Sequence, residues 1–276
     1  MSTIQRALSK EATTEKPKTT LLENGKSIGG YIELDLDMLS SKSMVTNRTE
    51  RSRINEEYRF IKRKILTNAF GKTSHLLNNG NIVLISSTHA NEGKTFTSIN
   101  LALSIALEQD KTVLLVDADV VNPSIGTELE YDATSGLLDY LLNKVDNIGE
   151  VIYNTNIENL KILPAGSRHH LTHELLSSIR MEELMAELAN RYPDRIIILD
   201  SPPLIGVSET QVLSGLSGQA VIVVEEQKTP ASSITKAVKM LDSELAVGFV
   251  LNKTNNKQAN GYGYGYGYGY GNYYGI

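Results

Sequence analysis

The chain contains no cysteine and no tryptophan. Without a thiol there is no disulfide framework, no thiolate zinc site, no iron–sulfur ligation and no cysteine nucleophile. That usage is compatible with a reducing compartment. Long hydrophobic runs are missing too. The longest, such as residues 82–85 (IVLI) and 196–199 (IIIL), fall far short of the roughly 18–20 residues of a spanning helix. The first residues, MSTIQRALSKEATTEK, are polar and carry no apolar signal core, so no secretory signal is expected. Any membrane attachment is expected through something else. An excess of positive charge is also absent. The chain has 27 Lys and Arg against 32 Asp and Glu, a net charge of −5, and no nucleic-acid partner is expected.

What is present is enough for a core: 276 residues, 41% of them hydrophobic. Composition divides the chain into three. Residues 1–50 are rich in Ser, Thr, Lys, Glu and Asn with weak periodicity, and are expected to form a flexible N-terminal segment. Within it Ile4, Ala7 and Leu8 would share a face if residues 3–10 were helical, either as a short partner-binding helix or as a frayed end. Residues 51–257 carry the ordered grammar of a domain. Residues 258–276 form a Gly/Tyr-rich stretch ending GYGYGYGYGYGNYYGI, expected to be a flexible tail because alternating glycine raises the entropy lost on ordering.

In the middle region, residues 56–69 (EEYRFIKRKILTNA) read as a helix with Tyr58, Ile61, Ile65 and Leu66 on one side. Strands are expected at 81–86 (NIVLIS), 112–117 (TVLLVD), 160–163, 195–200 (RIIILD), 219–225 (QAVIVVE) and 247–251 (VGFVL). Helices are expected at 95–108, 136–142, 173–191 and 232–241. Strands apolar throughout are expected to be buried on both faces. Their alternation with helices predicts a doubly wound α/β fold with a mostly parallel sheet.

The first strand runs into Ser87-Thr88-His89-Ala90-Asn91-Glu92-Gly93-Lys94-Thr95 and then a helix. Strand, loop, GK[ST] and helix form the context of a P-loop, in which backbone N–H groups and the helix N-terminus meet phosphate oxygens. Gly93 permits close approach, Lys94 neutralises phosphate, and Thr95 offers a hydroxyl to Mg²⁺. The strict pattern wants Gly where Thr88 stands. Two further strands end in acidic motifs, Asp117-Ala118-Asp119 and Asp200-Ser201-Pro202-Pro203. Ligands of open parallel sheets sit at strand carboxyl ends. Three carboxylates there would repel one another unless a cation lies between them, and Mg²⁺–ATP supplies one.

With GK[ST], DxD and DxPP together, residues 55–253 resemble the bacterial tyrosine kinases of exopolysaccharide and capsule systems. The stretches INEEYRFIKRKILTNA, EGKTFTSINLALSIA, VLLVDADVVNPS, PAGS, RYPDRIIILDSPPL and VLNK are most similar to the exosortase-A-associated tyrosine autokinase branch. The resemblance implies a P-loop NTPase-type site for ATP and Mg²⁺. Asn91, Glu92, Gly93, Lys94, Thr95 and Phe96 would hold the nucleotide; from their place after the last strand, Asn252 and Lys253 are candidates to border the adenine base. Lys94, Asp117, Asp119 and Asp200 would be catalytic, and Thr95, Asp119 and Asp200 would face the metal. Asp117, with Asp119 second, is the candidate to take a proton from a tyrosyl hydroxyl, whose pKa is near 10.

The resemblance further implies autophosphorylation of Tyr262, Tyr264, Tyr266, Tyr268, Tyr270, Tyr273 and Tyr274. It implies a ring-shaped homo-oligomer packed through an ExxRxxR-like element, here Glu56, Arg59 and Lys62, with Lys in place of the second Arg. A membrane-embedded activator of the chain-length-regulator type and an opposing protein-tyrosine phosphatase are the implied partners. The implied location is cytoplasmic, peripheral at the inner face of the membrane through that activator. Asn91 replaces a frequent Gly, and Val121 stands where the family often has Arg. The alternatives are a Min/Par-like partitioning ATPase and an ATP-switched assembly scaffold. The partitioning ATPases carry a signature Lys where this chain has His89.

Overall fold

The structure is a computed structural model and describes residues 29–47, 52–72 and 74–254. In chain order the elements are β1 (Tyr31–Ile32), α1 (Leu36–Ser41), α2 (Arg53–Phe70), β2 (Ile82–Ser87), α3 (Lys94–Ala106), β3 (Thr112–Asp117), α4 (Ile125–Glu128) and α5 (Leu137–Leu141). Then follow β4 (Tyr153–Thr155), β5 (Leu160–Leu163), α6 (Thr172–Leu176), α7 (Ile179–Arg191), β6 (Arg195–Asp200), α8 (Glu209–Leu216), β7 (Gln219–Glu225), α9 (Ala231–Val238) and β8 (Ala246–Asn252).

One eight-stranded sheet runs in the order β1-β4-β5-β3-β6-β2-β7-β8. Every pair is parallel except β4 with β5. The apolar strands β2, β3, β6 and β7 lie at its centre, covered on both faces by two hydrophobic layers. The doubly wound expectation therefore holds. Burying both faces of such strands is the main apolar contribution, at roughly 25 cal/mol per Å² removed from water.

The order of the central strands positions the site. β6 sits between β3 and β2, with Asp117 paired to Asp200 and Ile85 paired to the same residue across the sheet. The turn after β2 and the acidic ends of β3 and β6 thus emerge side by side.

Three expectations are corrected. Residues 29–47, assigned to the flexible segment, are packed: Leu34, Leu39, Met44 and Val45 are buried in the layer that holds α2 and α3. Asn156 exchanges two amide hydrogen bonds with Leu34, at 3.0 and 2.9 Å, in place of a strand partner. Asn100 accepts from the Val45 N–H at 2.7 Å. The single helix expected over 173–191 is two, because Ser178 leaves helical geometry and caps α7 by accepting from Met181 N–H. β8 is apolar but lies at the sheet edge, with Phe249 53% and Leu251 56% exposed. An apolar run identifies a strand without fixing its place in the sheet. Two elements, α8 and the antiparallel β4, were not expected from the sequence.

Candidate active site

β2 delivers the chain into a loop whose backbone is set by two residues of positive φ, Asn91 at 66° and Gly93 at 100°. Asparagine tolerates this region better than most side chains. Gly93 is required twice over, since a Cβ there would run into the Asn252 amide nitrogen. Thr88 has no positive φ, so the backbone makes no demand for glycine at that position. Gly93 is also the N-cap of α3, and the free N–H groups of that helix's first turn face the loop.

The loop is braced from its far side. Buried Glu92 accepts from His89 N–H at 2.8 Å and from the Thr229 hydroxyl. Asn252 donates to the Glu92 carbonyl at 2.8 Å. Lys253 donates to the Asn91 carbonyl at 2.6 Å and pairs with Glu225 at 2.9 Å. The Asn252 side chain, expected to border the base, is thus engaged in holding the loop. Phe96 packs on the hydrophobic layer that α3 covers.

The expected charged groups converge. Lys94 Nζ lies 2.7 Å from Asp119 Oδ2 and 4.0 Å from Asp200 Oδ2. Thr95 donates to Asp200 Oδ2 at 2.8 Å, and its oxygen also lies 2.8 Å from the Ser124 hydroxyl. Ser98 donates to Asp200 Oδ1 at 3.0 Å. Asp117 Oδ2 accepts from the N–H groups of Ser124 and Ile125, at the start of α4, at 3.2 and 3.1 Å. Asp119 Oδ1 accepts from Asn122 N–H at 3.1 Å. Ser98 and Ser124 escaped the sequence reading. Ser98 was findable, because it lies one turn beyond Thr95 on the same helix face.

Burial and mutual repulsion shape the charges. Asp117 is pushed up to about 8, first by burial and then by the charges of Asp200 and Asp119, against the opposing Ile125 N–H and Lys94. Burial also raises Asp200, although Lys94, Thr95 and Ser98 oppose the shift. Burial alone would lower Lys94, but Asp200, Asp119 and Asp117 reverse this and leave it above its ordinary value.

One buried oxygen, Asp117 Oδ1, has no hydrogen-bond partner among the described residues. Three carboxylates around one lysine with an orphaned oxygen fit a divalent cation. Among the described residues no group of three or more His and acidic side chains is arranged to hold one alone. Mg²⁺ characteristically takes one or two carboxylates plus substrate phosphates, so a nucleotide would complete the set.

The ring element is only partly exposed. Glu56 and Arg59 are on the surface and pair with each other at 2.7 Å. Lys62 is a correction. It is 7% exposed, and its ammonium donates to Ser104 O at 3.0 Å and pairs with Glu108 at 2.5 Å. Its helical position puts it on the same face as Tyr58 and Ile65, so α3 takes it. The candidate acceptors Tyr262 to Tyr274 and the possible helix at 3–10 lie outside the described residues.

Strand-end carboxylates beside a GKT loop at a helix N-terminus define a nucleotide-binding protein of the P-loop type. Comparisons narrow the class. Residues 80–246 match an AAA domain. The chain is 31% identical over 200 residues to the tyrosine-protein kinase YwqD of Bacillus subtilis, covering 72% of this chain and 80% of that protein. The kinase domain of the Escherichia coli tyrosine kinase ETK shares the fold, with a TM-score of 0.67 at 23% identity over 85% of this chain and 93% of that one. The septum site-determining protein MinD of Pyrococcus horikoshii, complexed with Mg-ADP, has a TM-score of 0.51 at 25% identity over 62% of this chain and 69% of that one. The chain belongs to the bacterial tyrosine-protein kinases.

Proposed function

We infer that this kinase transfers the γ-phosphoryl group of ATP to tyrosines of its own C-terminal cluster, in the control of exopolysaccharide synthesis or export. The observation that carries the reading is the meeting of Lys94, Thr95, Asp117, Asp119 and Asp200 at one end of the sheet. Lys94 and the loop N–H groups would neutralise the phosphates. Thr95, Asp119 and Asp200 would hold Mg²⁺, which when bound supplies charge neutralisation for the transfer. Asp200, already hydrogen-bonded through both oxygens, would act through water.

Asp117 would be the base. One of its oxygens is fixed by two backbone N–H groups and the other is free to accept. A raised pKa near neutrality suits a group that must take a proton and release it. As the tyrosyl oxygen bonds to phosphorus, the bond from phosphorus to the bridging oxygen breaks and ADP leaves. The phenolic proton ends on Asp117. The acceptors would be Tyr262, Tyr264, Tyr266, Tyr268, Tyr270, Tyr273 and Tyr274. The residues between Lys253 and Tyr273, extended, reach about 70 Å, enough to enter a neighbour's site.

No helix among the described residues is long and apolar enough to cross a membrane. Placement at the inner face through a membrane-embedded activator, a ring packed through the Glu56–Arg59 surface, and reversal by a phosphatase complete the proposal. The likeness to MinD keeps a Min/Par-like partitioning ATPase as the second reading. Labelled ATP separates the two. The kinase reading expects label on the tail tyrosines of the wild type and none on Lys94→Met. Release of free phosphate with no labelled protein would overturn it.

A further inference from the structure

β8 closes one side of the sheet, and among the described residues nothing pairs with its outer edge. Such an edge offers a row of free N–H and C=O groups to an added strand. Beside it, between β8 and α2, runs a groove of about 980 Å³ whose lining includes Phe60, Ile61, Lys64, Val247, Gly248 and Phe249. Phe60 is 68% exposed, although it is a large aromatic on a helix whose Tyr58 and Ile65 are buried in the core. Gly248 leaves open space over the strand: a Cβ there would meet nothing closer than Ala220 O at 3.9 Å. A glycine inside a strand often marks a place where another backbone approaches.

We propose that this groove and edge bind the chain's own Gly-Tyr segment, residues 261–270, as a ninth strand antiparallel to β8. The segment alternates glycine and tyrosine without a break. In a strand that alternation puts Tyr262, Tyr264, Tyr266, Tyr268 and Tyr270 on one face and glycine on the other. The tyrosine face would fill the groove over Gly248 and against Phe60. By strand alternation Leu251 lies on the opposite side of the sheet from Gly248, where the glycine face adds no bulk. Residues 258–276 contain no charged side chain, so docking desolvates none.

The geometry of the chain favours its own tail as occupant. Lys253 has a positive φ of 56° and is tied to the Asn91 carbonyl and Glu225, so the chain changes direction where β8 ends. Residues 253–260 are enough for the return. Residues 261–270, at about 3.3 Å each, span roughly 33 Å, against about 23 Å for the seven residues of β8. Docked this way the tyrosines lie along the sheet edge, away from the carboxyl ends of β2, β3 and β6. The device would hold unphosphorylated acceptors out of the site. That consequence rests on the autophosphorylation reading, but the docking itself does not.

Hydrogen–deuterium exchange of residues 246–252 in nucleotide-free, full-length protein tests the docking. The wild type is compared with a full-length variant in which Tyr262, Tyr264, Tyr266, Tyr268 and Tyr270 are changed to Ser. Exchange in the wild type is expected to be about tenfold slower or more. That protection should persist on about hundredfold dilution. The exposed Phe60→Asp substitution should remove it while β6 stays protected. Equal exchange in wild type and tail variant would overturn the proposal, as would protection that survives Phe60→Asp. Protection lost on dilution would assign the groove to a second copy and overturn it too. Because no nucleotide is present, none of these outcomes depends on phosphoryl transfer.

Discussion

At the carboxyl ends of β2, β3 and β6, three buried carboxylates share one lysine, and one oxygen of Asp117 has no partner. The arm of residues 29–47 is held instead by buried Leu34, Leu39 and Val45 and by the amides of Asn156 and Asn100. The first region carries repulsion among its carboxylates, which Lys94 offsets in part. The second contributes stability outright, roughly 1.5–3 kcal/mol for each large apolar side chain buried. Neutralising a carboxylate in the first region and trimming an apolar side chain in the second should therefore shift the melting temperature in opposite directions.

The largest effect is expected at Lys94. Lys94→Met should lower phosphotransfer by about 10³-fold or more, since the group neutralising the phosphates is gone. Circular dichroism should show an unchanged fold. A variant that keeps near wild-type labelling would break the contrast.

Asp117→Asn comes next, with phosphotransfer lowered by about 10²–10⁴-fold. Its stability should move the other way. Folding raises this carboxyl to about 8, so between about pH 4 and pH 8 the folded chain holds a proton that the unfolded chain has released. The group's contribution to stability is full below that window and is lost as pH rises through it. Without nucleotide, the variant should melt a few degrees higher than wild type at about pH 8, and no higher near pH 4. A lower melting temperature at both values would contradict the picture of stored repulsion.

Leu39→Ala probes the arm. It should cost about 2–5 kcal/mol in urea unfolding while leaving kcat per folded molecule within about twofold. A cost below about 1 kcal/mol would mean that residues 29–47 are not part of the cooperative core. The smallest effects belong to the surface of α2. Glu56→Ala with Arg59→Ala should change monomer stability by at most about 1 kcal/mol, because the pair is exposed. If the proposed ring uses this surface, light scattering should show the oligomer lost. Lys62→Ala should instead cost more stability, because it strips the buried Ser104 carbonyl of its donor.

The site was legible because its signals are local. A strand running into GKT, and two strands ending in aspartate, announce themselves in a few residues each, and the parallel sheet follows from apolar strands alternating with helices. What was missed depends on distant partners. The arm is about as apolar as the chain as a whole, but it was read together with the polar residues before it, and its strongest fasteners, Asn156 and Asn100, lie far along the chain. Ser124 reaches the site only because Asp117 captures the start of α4. Lys62 is a different case. Helical spacing from Tyr58 and Ile65 already placed it on the buried face, and motif resemblance pointed the other way. Periodicity was the better guide there, and the edge position of β8 shows where it stops helping.

The central claim is that Lys94, Thr95, Asp117, Asp119 and Asp200 serve one magnesium-bound triphosphate. Isothermal titration of ATP into the wild type and Lys94→Met, with and without Mg²⁺, tests it most directly. The account predicts one site per chain, binding that is stronger with Mg²⁺, and affinity at least about tenfold weaker in the variant. Equal affinity for the two proteins, or binding indifferent to Mg²⁺, would contradict it.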